Sequence, residues 1–597
     1  MPIDGIFMSA LCRELNGLLA NGRIQAVNQP REEDVVLQVR QPGATYRLLI
    51  SVHPEAARVH LTRTQERSPL SPPPFCLLLR KHLIPGRILE VVQPPFERSL
   101  TLRIEGFSPE GGRIVRHLVA EVMGRHSNLV LVDAASGLIV DALKRIPRDV
   151  NSYREILPGR PYVPPPPQEK EDPETVERER FDFLLRTLSA QTPIARGLQQ
   201  RFLGFSPFAA REVVARAGLD PDVRRGETDD GQRGRVWEAM REVLSSLRAG
   251  RHEPTAVRSG TGEEFWCLAI LTLAGETRRF PTLQELLDDH FERRLRGLEI
   301  ERTRGRLRSA VGQHLARVER KIEHQRAALE SAGRAEEFRQ LGELLTANLF
   351  RLKDLEPGRK SVAVPDYFGD GSLREVPLDP GLSPGENAQA YFRRYQKARK
   401  TIEKAGEQLR ASQEERAYLE SVQVALDLAD ELEALREIAV ELERLGYLER
   451  RDEPPRGGRR QPERREAAGG ASRPMRYRTS DGFAVLVGRN NRQNDEITLR
   501  TAGPEDLWFH TQEIPGAHVI LLCRGADPPP RSLVEAATIA AFHSKARNSA
   551  NVPVDYTRCK YVRKPRGAKP GMVIYEHQKT LFVTPTPEAL AALDEAR

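Results

Sequence analysis

Between residues 285 and 450 the apolar side chains return at intervals of four, three and four, and this spacing limits the fold more than any other feature. Val311, Leu315, Val318 and Ile322 carry it, with Leu329 seven residues further on and Glu, Arg and Lys between them. A stripe of this kind covers one face of a helix and needs a second helix to bury it. Leu428, Leu432, Leu435, Leu442 and Leu445 continue the rule in a second arm, and turn residues fill 357–384 between the two. A zipper between two chains would use the same spacing. Two arms on one chain, joined by a compact tip, point instead to a long antiparallel coiled-coil hairpin. An arm of ~50–60 residues at ~1.5 Å each reaches ~75–90 Å, longer than a domain is wide, so it reads as a spacer.

Blocks of other composition flank the arm. Up to about residue 163 a helical pattern (Ile6, Leu11, Leu15, Leu18, Leu19) gives way to alternating stretches, with a turn at Gln41-Pro42-Gly43. Further strands are expected at 99–104, 117–122 and 128–132, interrupted by a helix at 75–83. Residues 161–177 include Pro164 to Pro167 and read as a stiff linker. Short helices follow over 178–255. Thr192-Pro193 and Ser206-Pro207 are expected to cap two of them, with proline in the first turn. The pattern is compatible with helix–hairpin–helix motifs, whose backbone amides suit phosphate. Residues 454–474 lack large apolar side chains and read as a flexible linker. Residues 475–597 return to α+β alternation, with Ser532-Leu533-Val534-Glu535 expected as a capping box. The chain is thus a multidomain α+β protein: a mixed α/β N-terminal domain, a helical helix–hairpin–helix segment, a long antiparallel coiled-coil hairpin and an α+β C-terminal domain.

Several functions are excluded by what the sequence lacks. No run of ~18 apolar residues is present, so no transmembrane helix is expected. Asp4 stands where a secretory leader would carry Lys or Arg, and a cytoplasmic protein is expected. Five scattered cysteines and no C-x-x-C or H-E-x-x-H spacing argue against a disulfide framework and against zinc. Nucleotide-phosphate loops and nucleophile elbows are missing, so no catalytic residues and no cofactor are assigned. A processed Met1-Pro2 start can serve one class of DNA glycosylases, but that class needs a carboxylate directly after the proline, and here Ile3 follows.

Binding features are better supported. With 92 Lys+Arg against 84 Asp+Glu, the net charge of +8 permits an anionic partner. Arg558, Lys560, Arg563, Lys564, Arg566 and Lys569 crowd into 558–570 with no acid among them, and Tyr556 and Tyr561 interleave. Cations neutralise phosphates and flat rings stack on unpaired bases. In Asp506-Leu507-Trp508-Phe509-His510 a strand would bring Asp506, Trp508 and His510 onto one face, either as a nucleotide-binding set or as core packing around the tryptophan. Glu121-Val122-Met123-Gly124-Arg125-His126-Ser127-Asn128 has a glycine bend followed by donors suited to phosphate or ribose. Glu97-Arg98, after Pro94-Pro95-Phe96, forms another charged corner.

Taken together, these motifs resemble the NFACT family. The resemblance rests on Met1-Pro2-Ile3-Asp4-Gly5-Ile6-Phe7, on the 121–128 stretch, on Leu378-Asp379-Pro380 through Ser383-Pro384, and on Glu386-Asn387-Ala388-Gln389 with Tyr391-Phe392. It continues in Val487-Gly488-Arg489-Asn490-Asn491 with Gln493-Asn494-Asp495, in Asp506 to His510, and in Lys564 to Tyr575. It implies an NFACT-N domain over 1–163, a helix–hairpin–helix domain over 178–255, a coiled-coil middle over 285–450 and an NFACT-R RNA-binding domain over 475–597. It implies ribosome quality control: binding to the obstructed large subunit (50S, 23S rRNA) with its peptidyl-tRNA nascent chain. Charged tRNA, alanyl-tRNA in bacteria, would be recruited for template-free C-terminal tailing. A small S4-like RNA-binding protein (RqcP) is an implied partner. By position, Glu97 and Arg98 match an acid–Arg pair that contacts tRNA, with Glu where the family usually has Asp. Glu121, Val122 and Met123 match a second functional patch, and Asp506, Trp508 and His510 match an Asp-x-Trp-x-His motif. Arg125 and the six cations complete the expected RNA-binding set, with the first and last domains gripping one tRNA. Some members are called fibronectin-binding proteins, so a cell-surface adhesin is the competing reading, and a glycosylase-like enzyme a third.

Overall fold

The computed structural model describes residues 3–65, 69–107, 111–260, 262–353, 355–356, 358–369, 371–449 and 472–593. The Met1-Pro2 start and most of the 454–474 stretch fall outside them. The chain divides into two units, residues 1–295 and 296–597, each described by itself.

In the first unit α1 (Gly5–Leu19) begins because the Asp4 carboxylate accepts the Phe7 amide at 2.8 Å. Its Ile6, Phe7, Leu11, Leu15 and Leu19 are buried, one face of the helix as the spacing predicts. Then come β1 (Arg23–Arg31), β2 (Asp34–Gln41), β3 (Ala44–Ser51), β4 (Arg58–Leu61), α2 (Pro74–Leu83), β5 (Arg87–Val92), β6 (Ser99–Phe107), β7 (Arg113–Glu121), β8 (Asn128–Asp133) and β9 (Ile139–Ala142). These strands make one antiparallel sheet in the order β4-β3-β2-β1-β5-β6-β7-β8-β9. Val35, Leu37 and Val39 of β2 are buried on the inner face, so the period of two fixes which side of the sheet faces the core.

Residues 161–177 form no helix or strand, yet they do not hang free. The Glu171 amide donates to the Arg201 carbonyl and the Leu203 amide to the Glu171 carbonyl, both at 2.9 Å, and Val176 is buried. The segment is a strap bound to the helices that follow. Those are α3 (Arg178–Arg186), α4 (Ile194–Arg201), α5 (Pro207–Arg216) and α6 (Asp230–Arg248). Ser206 caps α5 as expected, its Oγ accepting the Ala209 amide. Thr192 does not cap α4: the helix begins one residue late, and Pro193 occupies the cap position without a side-chain bond. A small sheet, β10 (Thr255–Ser259), β11 (Gly262–Trp266) and β12 (Glu276–Arg279), has no counterpart in the sequence reading. One apolar cluster joins α1, the sheet, these helices, Trp266 and the first turns of α7 (Leu283–Ala332).

In the second unit Leu307, Val311, Leu315, Val318 and Ile322 of α7 share an apolar cluster with Tyr418, Leu419, Val422 and Leu426 of a second long helix, while Leu329 is half-buried. After α7 come α8 (Ala335–Asn348), the two-stranded β13 (Ser361–Pro365) and β14 (Leu373–Pro377), then α9 (Pro384–Leu428). Ser383 opens α9 with a capping box to Glu386. Ala332 and Ala335 cluster with Ala398. The second arm differs from the sequence reading. The leucines from Leu428 onward do not continue a long helix, because the chain breaks at 429–431. Then α10 (Leu432–Arg444) starts, and its Leu435, Ile438 and Leu442 join the same cluster.

The C-terminal part has β15 (Met475–Arg478), β16 (Ala484–Val487), α11 (Asn491–Glu496), β17 (Leu507–Thr511), β18 (Val519–Leu521) and α12 (Pro530–Phe542). It continues with β19 (Val552–Arg558), the short pair β20 (Val562–Arg563) and β21 (Ile574–Tyr575), β22 (Lys579–Val583) and α13 (Pro587–Ala591). Six of the strands form an antiparallel sheet in the order β15-β16-β18-β17-β19-β22, with α12 against one face. Ser532 and Glu535 are not a capping box. They lie inside α12 and reach across to the β15–β16 turn, Ser532 Oγ donating to Asp481 at 2.7 Å and Glu535 accepting from Ser480 at 2.6 and 2.8 Å.

Candidate nucleic-acid interface

In the first unit, motifs far apart in sequence meet at one corner. The Val122 amide donates to the Arg98 carbonyl at 2.8 Å, so the Glu97-Arg98 turn and the Glu121-Val122-Met123 turn are hydrogen-bonded neighbours. Asp4 lies close enough for the Arg98 charge to stabilise its carboxylate. Burial holds that carboxyl above its ordinary range, against hydrogen bonds from Phe7 and Ser206. Ser206 Oγ donates to it at 2.6 Å, which ties the cap of α1 to the cap of α5. Two glycines permit the approach. A Cβ on Gly5 would lie 1.8 Å from the Phe96 carbonyl oxygen, and one on Gly204 would lie 2.8 Å from the Phe96 Cβ. The strap adds Gln168, which donates to Glu97 at 3.3 Å, and Lys170, whose charge feels both Glu97 and Arg98. Neither was singled out from the sequence, because their relevance depends on where the strap folds.

Within this corner the expected contact residues separate into two kinds. Glu97, Arg98 and Met123 are half-buried and Arg125 and His126 are exposed. Glu121 and Val122 are both 1% exposed and cannot touch a ligand. Glu121 is held by Arg154 through two bonds of 2.6 and 2.7 Å and by the Tyr162 hydroxyl at 2.8 Å. Burial, and then the Glu121 charge, push the Tyr162 phenol far above its ordinary range. Ser127 and Asn128 are likewise consumed by the turn. Ser127 Oγ accepts the Met123 amide, while Asn128 accepts from Leu129 and Lys144 and donates to the Lys144 carbonyl. Gly124 takes a φ of 61°, as the bend requires.

In the second unit the Asp506 to His510 segment is β17 and the turn before it, and its nucleotide-facing reading is corrected. Trp508 is 1% exposed, packed among Leu486, Ile497, Ile520, Cys559 and Val562. Its ring lies 4.7 Å from Tyr575 and stacks on His510 at 5.6 Å. Asp506 is buried and accepts three backbone amides, from Gly503 and Cys523 at 2.8 Å and Arg524 at 3.2 Å. His510 is half-buried at the rim of the cluster, and burial lowers its pKa. A tryptophan enclosed on all sides and a carboxylate with three amide donors hold the domain together; they do not present a face to a base.

The basic segment is neutralised more than its sequence shows. Arg558 and Lys560 pair with Glu505, Arg563 with Glu576 and Lys564 with Asp495, acids that lie outside 558–570. Lys569 is drawn inward, its Nζ donating to the Tyr447 hydroxyl at 2.5 Å and standing 4.9 Å above the Tyr418 ring. Burial lowers its pKa. Arg566 is exposed and, among the described residues, joins no ion pair. Tyr561 is exposed, whereas Tyr556 stacks on Phe509 at 5.3 Å. Exposed ion pairs are worth only ~0–1 kcal/mol, so phosphates can compete for Arg558, Lys560 and Arg563.

The 487–495 stretch is an internal joint. Arg489 pairs with Asp430, Glu437 accepts from Asn490 and from Ser472, and Asn491 donates to Ser421. Asp495 takes Lys564 and the Gly571 amide. These bonds seat the basic loop against α9 and α10.

Among the described residues no group of three or more His, Cys, Asp or Glu could hold a metal ion, and no helix is long and apolar enough to cross a membrane. The five cysteines are buried and unpaired. Two α+β modules, each of which gathers cations at its surface beside acidic partners, on a chain that also holds long helices, have the make-up of an RNA-binding protein, and comparison with known proteins shows that class. The chain belongs to the NFACT family: residues 4–460 match its N-terminal and middle domains, and residues 473–577 match the NFACT protein RNA binding domain. It is 37% identical over 598 residues, all of both chains, to the Rqc2 homolog RqcH of Bacillus subtilis. To the Rqc2 homolog RqcH of Streptococcus pneumoniae serotype 2 it is 33% identical over 597 residues, again all of both chains. Among solved structures, the fibrinogen binding protein of Staphylococcus aureus aligns at 28% identity and a TM-score of 0.42, covering 49% of this chain and 99% of that one.

Proposed function

We propose that this chain is a cytoplasmic ribosome-quality-control factor. It binds large ribosomal subunits obstructed by peptidyl-tRNA and brings charged tRNA, alanyl-tRNA first among candidates, for template-free tailing of the stalled chain. The observation that carries this reading is the identity to RqcH proteins across the whole chain, RNA-binding domain included. The chemistry would belong to the ribosome, with this protein acting by positioning, so no catalytic group is assigned. RNA contacts are assigned to Glu97, Arg98, Met123 and Arg125 at the first corner, with Lys170 beside them. Arg558, Lys560, Arg563, Lys564 and Arg566 supply the second set. Asp506, Trp508, Glu121 and Val122 position these surfaces from beneath. The long helices are read as a coiled-coil hairpin and α3–α6 as a helix–hairpin–helix segment.

Purifying the tagged protein and sequencing the RNA that accompanies it tests the reading. Large-subunit rRNA with a narrow set of tRNAs is the expected result; bulk RNA in cellular proportions refutes it. The name of the Staphylococcus relative keeps a surface adhesin in view, and protease treatment of intact cells separates the two, since a cytoplasmic factor is protected.

A further inference from the structure

The outer face of the nine-stranded sheet carries a cavity of about 550 Å³ that no part of the reading above uses. Its floor is set by strand register. Asp34, Val36 and Gln38 of β2 point to this face, and β3 brings Leu49 opposite Val36 and Arg47 opposite Gln38. The neighbouring stretch of the same face, over β4, is closed by α7: Arg58 lies 5.1 Å above the Phe291 ring and His60 bonds Asp288 at 3.2 Å. The cavity is therefore a bounded hollow, with a volume in the range of small-molecule sites.

Asp34 is the informative residue. It is 5% exposed, yet among the described residues its carboxylate accepts no hydrogen bond and joins no ion pair. Its oxygens open onto the hollow rather than being sealed in the protein, so an incoming donor can reach them, and its charge also acts on His60. Arg47 stands at the other end of the hollow, four residues along the strand, about 13 Å away at ~3.3 Å per residue. Among the described residues its guanidinium makes two long bonds of 3.3 Å, to the Arg63 carbonyl and to Gln65. Between these ends lie the apolar side chains of Val36 and Leu49, with the Gln38 amide beside them.

We propose that this hollow is a binding site for a guanine nucleotide. The N1–H and N2–H edge of guanine supplies the paired donors that the Asp34 carboxylate lacks. The flat base lies on Val36 and Leu49, the ribose faces Gln38, and the phosphate reaches Arg47. Adenine has no such donor pair and should bind more weakly, because its edge sets one N6–H donor beside the N1 acceptor, whose lone pair the Asp34 carboxylate repels. The same chemistry is offered by free GMP and by an unpaired guanosine in RNA.

Titration of the full chain with GMP, AMP and guanosine, followed by amide hydrogen exchange across β1–β3, tests the site. The expected result is protection by GMP, with AMP weaker by about tenfold or more and guanosine weakened by loss of the Arg47 contact. Asp34→Asn removes no bond within the chain, so it should fold normally while losing about tenfold or more in GMP affinity. Short single strands carrying one G or one A separate the sources: protection of β1–β3 by the G strand but not by GMP assigns the site to RNA. Equal binding of AMP and GMP, unchanged affinity in Asp34→Asn, or no protection of β1–β3 by either GMP or the G strand overturns the proposal. Because the readout is local to β1–β3, failure here leaves the ribosome reading standing, and the reverse holds too.

Discussion

The backbone carbonyl of Arg98 accepts the amide of Val122 at 2.8 Å, and this bond makes one surface out of two turns that are 24 residues apart. Because the link is made by main chain, the side chain of Arg98 can be removed without opening the corner. Arg98→Ala is therefore expected to leave the two turns joined and to cost some stability through the lost charge beside Asp4, while weakening tRNA binding about tenfold under conditions where the variant is fully folded, the worth of a charge-assisted bond. Wild-type affinity in a filter-binding titration would take Arg98 out of the interface.

Glu121 behaves in the opposite way. Its two bonds to Arg154 and its bond from Tyr162 lie in a buried pocket, so Glu121→Ala strands a buried guanidinium. A loss of about 3–5 kcal/mol in urea unfolding is expected. A loss below about 1 kcal/mol would mean that Arg154 finds another partner or water, and that the turn is not anchored here.

Much of this was legible in the sequence, for reasons that can be named. The heptads at Val311 to Ile322, the strand alternation around Leu37 and the Ser206-Pro207 cap are local patterns that mark a buried helix face, a buried strand face and a helix start, each of which the structure has. What sequence could not give was compensation at a distance. The 558–570 segment contains no acid, yet Glu505, Glu576 and Asp495 arrive from other elements to pair its cations. Alternation put Trp508 and His510 side by side, but Asp506 lies in the turn before the strand, bonded to the Gly503, Cys523 and Arg524 amides, and the tryptophan's face is covered by Tyr575 and the loop before it. The break at 429–431 was hidden because α10 keeps the leucine spacing of the helix before it.

Two histidines make the second unit sensitive to acid. His518 accepts from the Thr498 hydroxyl through Nδ1 and donates to the Gly571 carbonyl through Nε2, and burial lowers its pKa to about 3. His543, beside Tyr477, is lowered by burial to about 4. Both fold neutral, whereas the unfolded chain takes up their protons near pH 6.5. The unfolded state thus binds more protons below that pH, so their contribution is complete above about 6.5 and declines as pH falls towards 4. Each should remove about 1.4 kcal/mol per pH unit in that window. Thermal unfolding at pH 7.5 and 5 checks this, with His543→Gln expected to flatten the dependence; an unchanged slope in that variant would exclude His543 as a source.

Salt and substitution together separate binding from support in the second unit. RNA affinity held by several cations should fall roughly tenfold or more between 50 and 200 mM salt. Arg566→Ala removes an exposed side chain with no ion pair among the described residues, so it should lower affinity and reduce the salt slope by about one contact with the unfolding midpoint unchanged. Trp508→Ala empties the centre of a buried cluster, and a loss of about 3–5 kcal/mol in stability is expected. Its RNA affinity should fall only in proportion to the unfolded fraction, and should recover where cold or osmolyte restores the fold. If Trp508→Ala instead unfolded like wild type and bound RNA weakly under all conditions, the tryptophan would be a contact residue after all, and the cluster around Tyr575 would have to open on binding.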